Sequence, residues 1–207
     1  MTDMWSTVAA ERGALATDLA DLSDQQWETP SLCEGWTVRE VLAHQTGTAS
    51  MNPPKFLARF AGAGFNFPKF ADREIQRHLG DSPQATLAEF RDKQHSTSAP
   101  PGPKLSWLGE VIVHSEDIRR PLGISHDYPA AAVRQVLDYY KNSNTLIGTK
   151  SRIAELRLAA TDDDWSHGEG PAVEGRLIDL LLAATGRGVA CESLTGDGVS
   201  TLRLRCS

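Results

Sequence analysis

The stretch LSWLGEVIVHSEDIRR, Leu105 to Arg120, decides the fold. Trp107, Leu108, Val111, Ile112 and Val113 place apolar groups nearly all round a helix. A helix without a solvent face is buried by several neighbours at once. Immediately before it, Ala99-Pro100-Pro101-Gly102-Pro103 breaks the chain, because proline lacks an N–H and its ring clashes with the preceding turn. Glu110 and His114 lie four residues apart, so both project from one side of this helix.

Outward from that helix, Trp5, Val8, Leu15, Leu19 and Leu22 recur at helical spacing between Met4 and Leu22. A second helix starts at Thr37, with Glu40 three residues on to complete a capping box. Val38, Val41 and Leu42 form its inner face, and His44 falls at the edge. Residues 51 to about 68, rich in Phe, Gly and Pro, assign no element. Helical patterning resumes from Lys69 and again after Ser82-Pro83, an N-cap followed by proline at the first helical position. Another helix follows Pro129, with Val133, Val136, Leu137, Tyr140 and Ile147 on one side. These segments read as an antiparallel four-helix bundle.

After about Lys150 the pattern changes. Leu156 and Leu158 alternate with charged residues, as in a half-buried strand. The turn-rich Gly168-Glu169-Gly170-Pro171 leads to a short helix, Gly175 to Thr185. Gly196-Asp197-Gly198 then turns into a last alternating segment, Ser200 to Arg205, read as a strand. The expected architecture is mainly α with a small α/β C-terminal module, divided into 1–150 and 151–207.

The 207 residues carry a net charge of −6 without any lysine or arginine block. That balance argues against nucleic acid and anionic membranes as partners. Cys33, Cys191 and Cys206 form no CxxC, which excludes a zinc ribbon or thioredoxin-type motif. A reduced, cytoplasmic compartment is expected. The N-terminus lacks a basic segment followed by an apolar block, so it is not read as a secretory signal. No apolar run is long enough to span a bilayer.

A carboxylate and an imidazole on one helical turn can share a divalent ion, and His44 on a facing helix can supply a third ligand. Three protein ligands leave coordination positions open, as in a catalytic rather than a structural site. Spacing alone fits a surface or capped-core pair better. Burial weighs toward metal, because an ionised Glu110 in so apolar a helix is costly unless paired. Asp117, one turn beyond His114, is placed to orient a ligand imidazole; like Arg119, it also fits a charged helix end. Cys33 reads as a small buried apolar residue and Trp36 as packing. His78, His95, His126 and His167 lie among polar residues and are expected at the solvent.

Two stretches resemble the mycothiol-dependent maleylpyruvate isomerase family, a branch of the DinB-like metal-binding four-helix proteins. They are WETPSLCEGWTVREVLAH, Trp27 to His44, and GEVIVHSEDIRRPLG, Gly109 to Gly123. The resemblance implies that His44, Glu110 and His114 are metal ligands. Zinc is expected first, although nickel, iron and manganese suit the same donors. The tail, with GPAVEGRLIDLLLAATGR and LTGDGV, is similar to the family's C-terminal domain. Arg187 there matches an arginine that serves the active site, implying a catalytic and cosubstrate-binding role. Nothing between about Met51 and Lys104 contributes to the likeness.

The resemblance also implies mycothiol, a small thiol, as cosubstrate. A metal-bound thiol loses its proton well below its free pKa and would attack an electrophile held by Arg187. Adding to and leaving a cis double bond gives isomerisation, whereas staying attached gives S-transfer. The expected partners are this thiol and a small electrophile, carboxylate-bearing ones included. A monomer is expected over a homodimer, since the C-terminal module would cover a bundle face. Three other readings compete: a metal-dependent hydrolase, a non-haem iron oxygenase, and a non-catalytic metal-binding stress or ligand-binding protein.

Overall fold

Thr37 caps a helix as its sequence predicts. Its hydroxyl accepts from the Glu40 N–H at 3.3 Å, and the Glu40 carboxylate accepts from the Thr37 N–H at 2.8 Å. Such a box is worth about 1 kcal/mol and fixes where the first turn begins, hence which way His44 points. The computed structural model describes residues 3–145 and 147–206. They form two compact units, Met1–His126 and Asp127–Ser207.

The first unit is helical: α1 (Met4–Asp18), α2 (Asp24–Trp27), α3 (Val38–Ala49), α4 (Pro53–Gly62), α5 (Phe67–His78), α6 (Pro83–Asp92) and α7 (Lys104–Arg119). Four of them close a ring, with α1 on α7, α7 on α3, α3 on α6 and α6 on α1. This is the expected four-helix bundle, and α5 lies along α3 as an addition. Leu15, Leu19, Trp27, Leu42, Phe90 and Ile118 fill one core. Buried charges are paired where the helices meet. Arg119, without exposure, binds Asp18 at 2.7 Å, and the Arg12 guanidinium donates to the carbonyls of Lys93 and Ser96 at 3.2 and 2.8 Å.

The stretch that its sequence leaves unassigned holds α4 and the start of α5. Asn52 and Asn66 cap the two helices, and each has a proline within the first two helical positions. Phe56 and Phe60 pack with Met51, Ala63 and Phe70 in a small second core. No residue of α4 is fully buried.

The second unit contains α8 (Ala130–Tyr140), α9 (Thr149–Arg152), β1 (Arg157–Ala160), β2 (Ser166–His167), β3 (Ala172–Gly175), α10 (Leu177–Ala184), a 3-10 helix Gly188–Ser193 and α11 (Val199–Leu204). The sheet order is β2-β1-β3, with β1 antiparallel to β2 and parallel to β3. The chain must therefore cross from one edge to the other below the entry of β1. Gly168 and Gly170 make that passage at positive φ. A Cβ on either would stand 2.2 or 2.3 Å from the carbonyl oxygens of Leu156 and Glu155.

Two expectations change here. The helix after Pro129 belongs to the second unit and not to the bundle, because its apolar face, Val133, Val136 and Leu137, packs against α10. The final segment is helix α11 and not a strand. Leu202 is buried while Leu204 is exposed, and the place beside β3 is taken by the Glu174–Thr195 bridge. Among the described residues no helix is long and apolar enough to cross a membrane.

Candidate metal centre

Helix α7 presents Glu110 and His114 on one turn, and α3 packs against that side. There His44 faces both. Its Nε2 lies 3.9 Å from Glu110 Oε1, and its ring meets that of His114 edge-on, with centroids 5.0 Å apart. One ligand atom from each of the three lies within 4.8 Å of the others. Metal–ligand bonds of about 2.1 Å require donor separations of about 3–4 Å, so small side-chain rotations suffice to close round an ion. The three side chains are 20%, 11% and 17% exposed, which leaves an approach from solvent.

The donor set fits a metal for a second reason. Both Glu110 carboxylate oxygens are buried and have no hydrogen-bond partner among the described residues. A buried carboxylate in that position costs several kcal/mol unless a cation joins it. Burial accordingly raises the Glu110 pKa. The charges of His114 and Arg12 oppose this, as does the Thr48 side chain, which approaches without the geometry of a full hydrogen bond. Burial also lowers His44, to about 3, with the His114 charge adding to the effect. His114 moves the other way. Burial lowers its pKa too, but hydrogen bonds to Asp117 and Cys33 outweigh that and push it up to about 10.

Asp117 holds the orienting position. Its Oδ2 lies 2.8 Å from His114 Nδ1, and its side chain has no exposure. With Nδ1 engaged, Nε2 is the nitrogen left for an ion. Arg119 does not join the site, because it pairs with Asp18.

Cys33 is the residue that sequence reasoning missed. It does not serve only as an apolar filler: its Sγ is 3.0 Å from Asp117 Oδ2 and 3.5 Å from His114 Nδ1. Trp36, read as packing, does pack on the core, but its ring also lies 5.1 Å from that of His44. Only the motif that contains both residues hinted at this. Of the histidines expected at the solvent, His95 is exposed. His78 is buried and bonded to Glu89 at 2.6 Å, and His126 is half-buried against Glu11 at 2.7 Å. His167 is half-buried on β2 beside Trp165. Arg187 lies in the second unit, just after α10, where its guanidinium donates to the Thr185 carbonyl at 3.0 Å.

The family model described as the mycothiol maleylpyruvate isomerase N-terminal domain matches residues 8–102. No curated protein matches the chain. Two solved structures share its fold: a histidine-to-alanine mutant of the mycothiol-dependent maleylpyruvate isomerase, 17% identical with a TM-score of 0.61, and the same isomerase, 16% identical with a TM-score of 0.58. Each alignment covers 94% of this chain and 92% of the other. At that identity the likeness is one of fold.

Proposed function

The chain belongs, through residues 8–102, to the mycothiol maleylpyruvate isomerase N-terminal domain family, and on that premise we propose a metal-dependent isomerase or S-transferase that uses mycothiol on a small electrophile. The observation that carries the metal reading is the convergence of His44, Glu110 and His114, with the Glu110 oxygens buried and unpartnered. Zinc is the first candidate, and nickel, iron or manganese suit the same donors. When bound, the ion supplies Lewis acidity that lowers the proton affinity of a thiol and gives a thiolate at neutral pH.

The chain's own residues set up that chemistry. His44, Glu110 and His114 would hold the ion, and their partial exposure would admit the thiol. Asp117 accepts a hydrogen bond from His114 Nδ1 and so would leave Nε2 to the ion. Arg12, buried behind α7, favours the ionised form of Glu110 by its charge. In the proposed reaction the thiolate adds to one carbon of a cis double bond conjugated to a carbonyl, the π electrons pass to that carbonyl as an enolate, and the adduct turns about the resulting single bond. Return of those electrons expels the thiolate and leaves the trans isomer; protonation of the enolate carbon with the sulfur retained gives S-transfer. Arg187 is proposed, on the family resemblance, as the cation for a carboxylate of the electrophile.

Hydrolysis is less well supported, because the buried carboxylate nearest the site, Asp117, is already committed to His114 and Cys33. The test is elemental analysis of the purified protein with a mycothiol titration. It is followed by thiol-dependent turnover of maleylpyruvate by wild type, His44→Ala and Arg187→Ala. The proposal expects bound metal, saturable mycothiol binding, activity abolished in His44→Ala, and a raised KM with unchanged metal content in Arg187→Ala. Metal-loaded protein that neither binds mycothiol nor responds to it would overturn the reading and favour a non-catalytic binder.

A further inference from the structure

We propose that Cys33 is a positioning residue for His114, its thiol locking in place the Asp117 oxygen that takes the imidazole proton. The inference rests on the metal centre proposed above. Two donors converge on Asp117 Oδ2, the His114 Nδ1–H at 2.8 Å and the Cys33 S–H at 3.0 Å. The second donor arrives from another segment, and together with the His114 proton it fixes which carboxylate oxygen faces the imidazole. A thiol is a weak donor, so its contribution is to orientation more than to energy.

The thiol is delivered by a loop built for fixed geometry. Ser31 N–H and Ser31 Oγ both donate to the Trp36 carbonyl, at 2.9 and 2.7 Å. The same Oγ accepts from the Cys33 N–H at 3.1 Å, and the Trp36 N–H donates to the Cys33 carbonyl at 3.0 Å. The turn passes through Gly35 at φ +79°, a conformation that other residues reach only at a cost. Leu32 N–H then donates to the Asp117 backbone carbonyl at 3.1 Å. Asp117 is thus gripped twice by consecutive residues, once through its backbone and once through its side chain. The same loop lays Trp36 against His44. One short segment therefore fixes both ligand imidazoles, although they stand on different helices.

A cysteine serving only as a small apolar filler would tolerate alanine and resist serine, since a buried hydroxyl without need of a partner is a burden. A positioning donor predicts the opposite order. The experiment compares wild type, Cys33→Ala and Cys33→Ser by two readouts, with circular dichroism to confirm folding. If Cys33→Ala does not fold, Cys33→Val, similar in size and without a donor, replaces it. The first readout is the His114 imidazole in metal-free protein, by nitrogen-15 correlation spectra. A protected Nδ1 proton is expected in wild type and serine, and a shifted, faster-exchanging one in the variant lacking a donor. The second is the affinity for zinc and the visible spectrum of the cobalt form. Loss of the donor is expected to weaken binding about ten- to hundredfold and alter the spectrum, and serine restores both. A donor-free variant with the wild-type imidazole signal and affinity, or a serine variant no better than it, overturns the inference. Wild type that binds neither zinc nor cobalt would instead remove the metal reading, and the imidazole signal would still decide the role of Cys33.

Discussion

His114 Nδ1 and Asp117 Oδ2 stand 2.8 Å apart on successive turns of α7, with the carboxylate wholly enclosed. That bond commits one ring nitrogen and frees the other. In Asp117→Asn the amide oxygen still accepts one hydrogen bond, but the charge that supports the imidazole is gone. Zinc affinity, measured by competition with a chelating dye, is expected to fall by about tenfold or more in a protein that remains folded. Unchanged affinity would contradict an orienting role.

Glu110 is expected to separate metal binding from stability. Glu110→Gln removes a negative ligand, so the purified variant should contain little metal by elemental analysis. The same change also removes a carboxylate that is buried without a hydrogen bond. Metal-free Glu110→Gln should therefore melt at or above the temperature of metal-free wild type, because burying the amide costs less than burying the charge. A clear drop in Tm would show that attraction to the His114 and Arg12 charges outweighs the cost of its burial.

Metal uptake should strengthen as pH rises. In the metal-free site His114 is held up to about 10 and Glu110 is raised, so both favour their protonated forms near neutrality more than ordinary residues do. Only the deprotonated forms bind an ion. Loading at a pH of about 7.5 must then release at least about one proton per ion from His114. His44, lowered to about 3, is already neutral and contributes none. Calorimetric titrations in buffers of different ionisation enthalpy measure the number directly. Loading without proton release near neutral pH would refute the assignment.

Arg12 is a structural cation of the bundle. Its guanidinium satisfies the Lys93 and Ser96 carbonyls, which lie beyond the end of α6. Arg12→Ala leaves both carbonyls without this donor, and a loss of about 3–5 kcal/mol follows. That corresponds to a Tm lower by about 6–20 °C for a chain of this size, read by thermal circular dichroism. Arg12→Lys should recover only part of it, since a single ammonium cannot reproduce the planar fork.

Part of the site is legible in the sequence alone. The ligand helix announces itself through apolar residues on every side and the proline break before Lys104. The phase of α3 follows from Thr37 and Glu40. The candidate ligand trio follows from a four-residue spacing, the burial of its helix and the two family-like stretches. Cys33 does not, because its partner is 84 positions away and only the folded loop unites them. His78 escapes for a related reason. Its ring lies over Gly47 on α3, where a Cβ would come within 3.3 Å of it, so its burial depends on a distant residue that has no side chain. The asparagine caps and prolines of α4 and α5 are present in the sequence, but the surrounding Phe and Gly obscure them. Two leucines, Leu202 and Leu204, could not distinguish α11 from a strand.

Helix α7 carries Glu110, His114 and Asp117 on a rod that is otherwise core: Leu108, Val111, Ile112 and Ile118 are buried around them. Variation along this helix therefore changes folding and chemistry together, and most substitutions there meet selection on both counts. The segment Ser31–Trp36 reaches the same imidazoles from outside the rod. Substitution in that loop can retune the two imidazoles with less damage to the core than substitution in the helix that carries the candidate ligands.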